Sequence, residues 1–336
     1  MTSLRCAALL ATAVAVIFPT ADIPAEDQRM IRVGIIGLDT SHVTAFTSVL
    51  NKPDASGDLA GVKVVAAFPG GSPDIAASRD RIEGFTNELR EKYGVEIVDS
   101  IEALLPKVDA VLLESVDGRP HLEQARPVIA AKKPLFIDKP LAGSLADAIE
   151  IFRLARENNV PCFSSSSLRF SPGIAGMRHN EQLGDVLGCD AYSPCSLEPH
   201  HPDLFWYGIH GVEALFTIMG PGCVTVTRVQ THNGELVTGV WRDGRIGTYR
   251  GLRSGKQDYG AMVFGSKANL PSGGYGGYEP LLVEIGKFFK TGKPPVSADE
   301  TIEIMAFMEA ADESKRQGSR PVTIESVMQA AKASDE

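Results

Sequence analysis

From residue 31 onward the apolar positions follow two alternating rhythms. Short continuous apolar runs at 31–37, 62–68, 95–98, 110–113, 135–138 and 161–164 read as strands buried on both faces. Between them, apolar residues recur at three- and four-residue spacing. Val43, Phe46, Val49 and Leu50 form one such stripe, Ile82, Phe85, Leu89 and Tyr93 another, and 101–105, 121–131 and 145–158 continue the series. These are helices with one buried face. Pro69-Gly70-Gly71-Ser72-Pro73 supplies the turn after the second strand. Strands separated by such helices pair in parallel through right-handed crossovers, so 30–166 is expected to be a doubly wound α/β domain with its ligand edge at the carboxyl ends of the strands.

After Leu168 the rhythm changes. Apolar alternation at 187–197, 223–232, 235–241, 246–252 and 259–264 reads as strands, several with no helix between them. Turn formers such as Asp243-Gly244 separate them, which predicts hairpins in an open-faced mixed or antiparallel sheet. Helices are expected at 206–219, 279–289 and 298–317. This second half, 167–332, reads as an α+β domain. The Gly/Tyr-rich stretch 271–278 is long enough to shape the edge of a site, and serves equally as a connector. There are no internal repeats, heptads or low-complexity tracts.

The N-terminus stands apart. Arg5 precedes an apolar run at 6–18, followed by Pro19, Ala21 and Ala25, and the polar Glu26-Asp27-Gln28-Arg29 separates it from the first strand. That order predicts a signal peptide over 1–25, its cut site open, and a secreted or periplasmic protein with no stable membrane anchor after processing. The 336 residues carry 43% hydrophobic and 22% charged side chains, ordinary for a globular protein. The net charge of −9, with no basic stripe, argues against nucleic acid and anionic membrane surfaces as partners. Of five cysteines, Cys6 would leave with the leader. Cys162, Cys189, Cys195 and Cys223 show no CxxC spacing, and Cys189 and Cys195 read equally as a disulfide or as two half-buried thiols.

The first strand-to-helix turn reads Gly34-Ile35-Ile36-Gly37-Leu38-Asp39-Thr40-Ser41-His42. A dinucleotide fingerprint uses three glycines here: for a tight turn, for approach to the pyrophosphate and for helix–strand packing. Aligned on Gly37, the second glycine position holds Asp39 and the third His42. Asp39, Thr40 and Ser41 are good helix-capping residues, and capping is favoured over direct cofactor contact for Asp39. The second strand ends in Phe68-Pro69, with no acid for the ribose hydroxyls and no base for a 2′-phosphate, so NAD and NADP are not distinguished. At the end of the fifth strand, Asp138-Lys139-Pro140 places charge on the ligand edge, where a lysine can orient a substrate hydroxyl and a proline stiffens the turn.

With these features in place the chain resembles the Gfo/Idh/MocA family of NAD(P)-dependent sugar and cyclitol oxidoreductases. The stretches that carry the resemblance are 33–37, KYGVEIVDSIEALLPKVDAVLLES (92–115), HLEQARPVIAAKKPLFIDKPLA (121–142), Arg169-Phe170-Ser171-Pro172, and Gly208-Ile209-His210 opening a helix. The family's Glu-Lys-Pro stands here as Asp138-Lys139-Pro140. The resemblance implies a Rossmann domain followed by a sheet domain that covers the nicotinamide and often mediates homo-oligomers. It implies Lys139 as the substrate-orienting residue and His210 as a base or hydroxyl ligand. Cofactor contacts are expected from Gly34, Gly37, Asp39, Thr40, Ser41, Ser115, His121, Asp138, Lys139 and Arg169. The family often has an Asp four residues before the histidine. Here Trp206 stands there, followed by Tyr207, as core anchor or stacking surface.

Glu198, His200, His201 and Asp203 form the densest cluster of titratable groups. His200 and His201 are adjacent and cannot both point one way from an extended segment, so no metal is expected there. His201 and Tyr207 join Lys139 and His210 as candidates for handling the hydroxyl proton. Structural alternatives stand beside the others: His121 as a helix-opening residue next to Pro120, and Arg169 as a domain-linking ion pair. The expected function is an NAD(P)-dependent oxidoreductase acting on a C–OH group of a small carbohydrate or polyol, its cofactor tightly held. The alternative is a non-redox relative, either a bound-NAD-assisted glycoside lyase or hydrolase or a degenerate sugar-binding protein. The altered glycines, the missing ribose acid, the absent Asp and the expected export feed that alternative.

Overall fold

The structure, a computed structural model, describes residues 30–333. The expected signal peptide lies outside the described residues. The first domain is built on β1 (Ile31–Ile36), β2 (Val62–Phe68), β3 (Glu96–Ile97), β4 (Ala110–Leu113), β5 (Leu135–Asp138) and β6 (Cys162–Ser165). They form one sheet in the order β3-β2-β1-β4-β5-β6, every pair parallel. The order reverses between β1 and β4, the switch point that opens a crevice at the strands' carboxyl ends. Both faces are covered. Val33, Ile35, Leu112, Phe136 and Phe163 pack with Phe46, Leu89 and Phe288 on one side. Ile36, Val111, Leu113 and Ile137 pack with Val128, Ala148 and Ile151 on the other. Burial on both faces is why these strands read as continuous apolar runs rather than alternations.

The second domain holds β7 (Val186–Pro194), β8 (Cys223–Thr231), β9 (Gly234–Trp241), β10 (Ile246–Leu252), β11 (Gly260–Gly265), β12 (Asn269–Pro271) and β13 (Val322–Thr323). Their order is β12-β11-β7-β10-β9-β8-β13, with β7 and β10 parallel and the other pairs antiparallel. The expected mixed, open-faced sheet is present. Helices Ile209–Met219 and Ala298–Arg316 cover one face, while Leu187, Tyr192, Ile246, Met262 and Phe264 stand exposed. Gly244 adopts φ +87° in the turn between β9 and β10, where the Asp-Gly pair predicts a hairpin.

Three details depart from the sequence reading. The helix expected over 206–219 is two helices, Asp203–Tyr207 and Ile209–Met219, meeting at Gly208. The sequence reading did not include β12, β13 or the helix Ile324–Ala333, whose strands are too short to show a period. Cys189 and Cys195 are buried free thiols, and Cys195 Sγ donates to Glu235 Oε1 at 2.6 Å. Among the described residues no helix is long and apolar enough to cross a membrane.

Two buried polar contacts join the domains beside the crevice. Arg169, just after β6, pairs with Glu213 of helix Ile209–Met219 and with Glu300 of helix Ala298–Arg316, the latter at 2.8 Å. His201 accepts from the Gly118 amide at Nε2 (3.1 Å), with Nδ1 3.0 Å from the Pro202 carbonyl. Burial pushes the His201 ring down to about 4 from its ordinary 6.5, because the neutral ring satisfies both contacts and a charged one cannot. The unfolded chain therefore binds the extra proton between these values, and the folded state loses stability as pH falls from about 6.5 to about 4. The full effect amounts to about 3 kcal/mol. Denaturant unfolding across this pH range should show the loss in the native protein and a weaker pH dependence in His201→Gln.

Candidate functional site

A small cavity opens at the carboxyl edge of the first sheet, roofed by the second domain. It is lined by His42, Ser167, Leu168, Tyr207, His210, Tyr259, Tyr275 and Tyr278. His42 opens the helix His42–Leu50, and Ser167 and Leu168 follow β6. Tyr207 and His210 come from the helix pair broken at Gly208. That pair lies close on the sheet because Gly211 has no side chain; a Cβ there would come within 2.2 Å of the Tyr249 ring. Tyr259 leads into β11, and Tyr275 and Tyr278 close the cavity from the Gly/Tyr-rich loop.

The cavity is a hydrogen-bonding surface of tyrosine, histidine and serine side chains with one ammonium, Lys139, near its edge. His210 Nδ1 lies 2.8 Å from Ser166 Oγ, and burial, helped by Lys139 and His42, pushes the ring well below its ordinary pKa. His210 is therefore neutral at physiological pH. Burial pushes the phenols of Tyr259, Tyr275 and Tyr278 up, so they stay protonated. Tyr207 Oη and Tyr259 Oη lie 3.2 Å apart, and Lys139 Nζ sits 6.0 Å from the centre of the Tyr207 ring. Such a lining presents hydroxyl and imidazole hydrogen-bonding groups to whatever enters the cavity.

Beneath it lie three buried acids. Asp138 ends β5 with Oδ2 2.6 Å from His42 Nδ1. Burial raises its pKa, but His42 and Lys139 outweigh that and hold it below the usual carboxylate value. Glu114 follows β4 and is fully buried, with neither carboxylate oxygen hydrogen-bonded. Desolvation first, then the charges of Asp138 and Asp39, push it well above the carboxylate range, so it is a neutral acid. Asp39 accepts from Ser78 Oγ at 2.6 Å and from the Val116 amide at 2.8 Å, and burial raises it as well.

The turn itself keeps the tight geometry of a dinucleotide fold. Gly37 has φ +89°, and a Cβ there would stand 2.4 Å from the Ser115 nitrogen. Asp39 turns away from the helix start and does not cap it, contrary to the expectation. Ser41 is the N-cap, without a side-chain bond, and Thr40 Oγ1 accepts weakly from His42 N at 3.4 Å. The crevice beside the turn is bridged. Ser72 Oγ donates to Asp117 at 2.5 Å, and Arg119 spans Asp117 and Asp74. The residues therefore fit a nicotinamide ring near Lys139 and the unpartnered Glu114. The Asp39 side chain and these bridges lie beside the turn that a dinucleotide fingerprint keeps for glycines.

The remaining expected site residues divide. Lys139, His210 and Tyr207 gather at the cavity. His201 does not face it, since both ring nitrogens are taken by backbone groups; this differs from the proton-handling role expected of it. Trp206 stacks on His201, 5.2 Å between ring centres. Arg169 is spent on Glu213 and Glu300, the domain-linking alternative rather than a cofactor contact. Gly34 faces Leu104 and Val108, where a Cβ would come to 3.1 Å, so it serves packing. His121 holds the Ser115 and Leu141 carbonyls at 2.9 and 3.1 Å, and Ser115 Oγ donates to Gln124. His200 is exposed beside Glu198, and no group of three or more metal-type ligands occurs among the described residues. Sequence reasoning missed His42 and Glu114. The first had a signal, its place at the third glycine position, whereas the second had none.

Residues 31–166 match the family model described as oxidoreductase family, NAD-binding Rossmann fold. The chain is 27% identical over 221 residues to myo-inositol 2-dehydrogenase of Thermotoga maritima, covering 58% of this chain and 66% of that protein. It is 29% identical over 164 residues to dehydrogenase aclE of Aspergillus oryzae, covering 47% and 43%. The chain spans about half the length of most curated relatives it matches. The fold extends further. Scyllo-inositol dehydrogenase from Lactobacillus casei, solved with NAD(H) and scyllo-inositol, superposes with a TM-score of 0.71 at 13% identity, covering 88% of this chain and 99% of that one. An oxidoreductase from Agrobacterium radiobacter, in complex with NAD+, L-tartaric acid and magnesium, gives 0.69 at 17% identity, covering 88% and 99%. Residues 31–166 are thus similar to the NAD-binding Rossmann domain of the Gfo/Idh/MocA oxidoreductases, and the chain as a whole shares the two-domain fold of these solved structures.

Proposed function

We propose that the chain oxidises or reduces a C–OH group of a small polyol or sugar, with NAD or NADP as the hydride partner. The observation that carries this reading is the cavity of neutral tyrosine and histidine side chains beside Lys139, at the carboxyl edge of a Rossmann sheet. Relatives named for myo-inositol and scyllo-inositol support the substrate class. When bound, the nicotinamide supplies the hydride acceptor. The chain's own residues do the rest. Tyr207, Tyr259 and Tyr275 hold substrate hydroxyls, Lys139 orients the reacting one, and neutral His210, fixed by Ser166, accepts a hydrogen bond or proton from it.

A second reading is favoured by one observation, the Asp39 side chain and the Ser72–Asp117–Arg119–Asp74 bridge beside a turn where a dinucleotide fingerprint has glycines. A non-redox relative, working on a permanently held nucleotide or without one, would have no need to open that bridge. Export belongs to the same proposal, since a secreted enzyme must recycle its nucleotide. The exposed apolar face of the second sheet supports a homo-oligomer.

Three expectations test this. Mass spectrometry of the denatured, freshly purified protein should release NAD(H) or NADP(H), or added dinucleotide should raise the melting temperature. If neither effect occurs, the redox reading falls and only the nucleotide-free form of the second reading stands. With polyols that reduce the nucleotide, Lys139→Ala should lower kcat by about 10²- to 10⁴-fold with little change in unfolding, and equal activity would remove Lys139 from the site. Light scattering should give more than one chain per particle, and Ile246→Arg with Met262→Arg should give monomers.

A further inference from the structure

We propose that His42, oriented by Asp138, is a proton-accepting group for the hydroxyl bound in this cavity. The inference rests on the cavity being the substrate site, but not on the identity of the hydride partner. His42 stands where a dinucleotide turn normally places a glycine, and its ring enters the cavity wall instead. The ring is fixed on three sides. It stacks on Phe46 with centres 5.3 Å apart and planes at 9°, it meets the edge of Tyr278 at 4.8 Å, and Nδ1 lies 2.6 Å from Asp138 Oδ2.

The acids beneath decide the tautomer. Leu113 and Ile137 are paired in the parallel β4–β5 ladder, so Glu114 and Asp138, the next residues, are neighbours on one face of the sheet. Two adjacent carboxylates in a low-dielectric site do not both ionise. Glu114 has no hydrogen-bond partner at either oxygen, whereas Asp138 has the imidazole and Lys139 beside it. The negative charge thus resides on Asp138, which accepts from Nδ1–H. Nε2, which has no hydrogen-bond partner among the described residues, then carries a lone pair on a ring that lines the cavity. A base held by a carboxylate on its far nitrogen is the arrangement that activates hydroxyl groups. The hydroxyl proton passes to Nε2, the O–H bond pair stays on oxygen, and the resulting imidazolium is stabilised by Asp138. His210, whose Nδ1 meets a serine and no acid, is left as the hydrogen-bonding partner.

The proposal is tested without turnover, by long-range proton–nitrogen spectra of the histidine-labelled full chain, with His42 assigned through His42→Gln. The expected result is a protonated Nδ1 and an unprotonated Nε2 for His42, with Nε2 shifting as myo-inositol or D-glucose is titrated in. Asp138→Asn should abolish the tautomer preference and Asp138→Glu restore part of it, which a merely space-filling contact would not do. A ring protonated at Nε2, or a His210 signal that responds to polyol while His42 stays silent, overturns the role of His42 and leaves the cavity as the site. If neither ring responds to either probe, the cavity reading falls and the inference with it.

Discussion

A guanidinium taken out of water is tolerated only where anions meet it, because the uncompensated desolvation costs several kcal/mol. Arg169 meets two. It leaves the end of β6, the last strand of the first sheet, and holds Glu213 and Glu300 on two helices of the second domain. Glu213 is three residues from His210, on the same helix. The ion pair therefore fixes the helix that carries one wall of the cavity against the strand that carries the other. Ser165 and Ser166, from the same strand end, bind Glu213 and His210 in turn at 3.1 and 2.8 Å. The position of the cavity rests on this one buried cluster.

That dependence explains which parts of the molecule the sequence disclosed. Strands β2, β4 and β5 lie over the ranges their apolar runs predict, because burial on both faces leaves an uninterrupted signature. The order of strands and helices was likewise enough for the parallel sheet. The site was only partly legible. His210 and Tyr207 line one cavity with Lys139 6.0 Å from the Tyr207 ring, and the Gly/Tyr-rich loop, which reads equally as connector or site edge, supplies Tyr275 and Tyr278. Arg169 and His201 carry the right chemistry for a site, yet their partners come from segments distant in the chain, so the sequence leaves Arg169 open between site and domain-linking ion pair and does not mark His201 as structural. His42 shows the reverse. Its position was known to depart from the fingerprint, but a single residue at a helix start gives no hint of the acid 96 positions away that orients it.

The acidic side chains around the first turn obey one electrostatic logic. Three carboxyl groups close together in a dry space would repel strongly if all were charged. The fold separates them by partner. Asp39 receives a hydroxyl and an amide, Asp138 receives an imidazole and a neighbouring ammonium, and Glu114 receives nothing. Only Asp138 is thereby held below the carboxylate range, while burial drives the other two upward. The usual glycines of this turn carry no side chain; here Asp39 and its hydroxyl and amide donors stand beside it.

This substitution changes what the turn contributes. In a glycine-rich turn the backbone amides are the functional groups and side chains must be absent. In this chain side chains have entered, and one of them, His42, reaches the cavity that the second domain closes. The proposed chemistry on a hydroxyl needs a place for the proton, and the cavity offers candidates on two walls. The second-domain wall offers His210 and the tyrosines, and the first-domain wall offers Lys139 and the His42–Asp138 pair. A turn that a glycine fingerprint commits to the nucleotide here presents His42 to the cavity. The Rossmann architecture is unchanged by this, because it depends on the strand order and on Gly37, whose close approach to Ser115 survives intact. Architecture and site chemistry thus vary independently in this chain, and the residues at the second and third glycine positions are where they part.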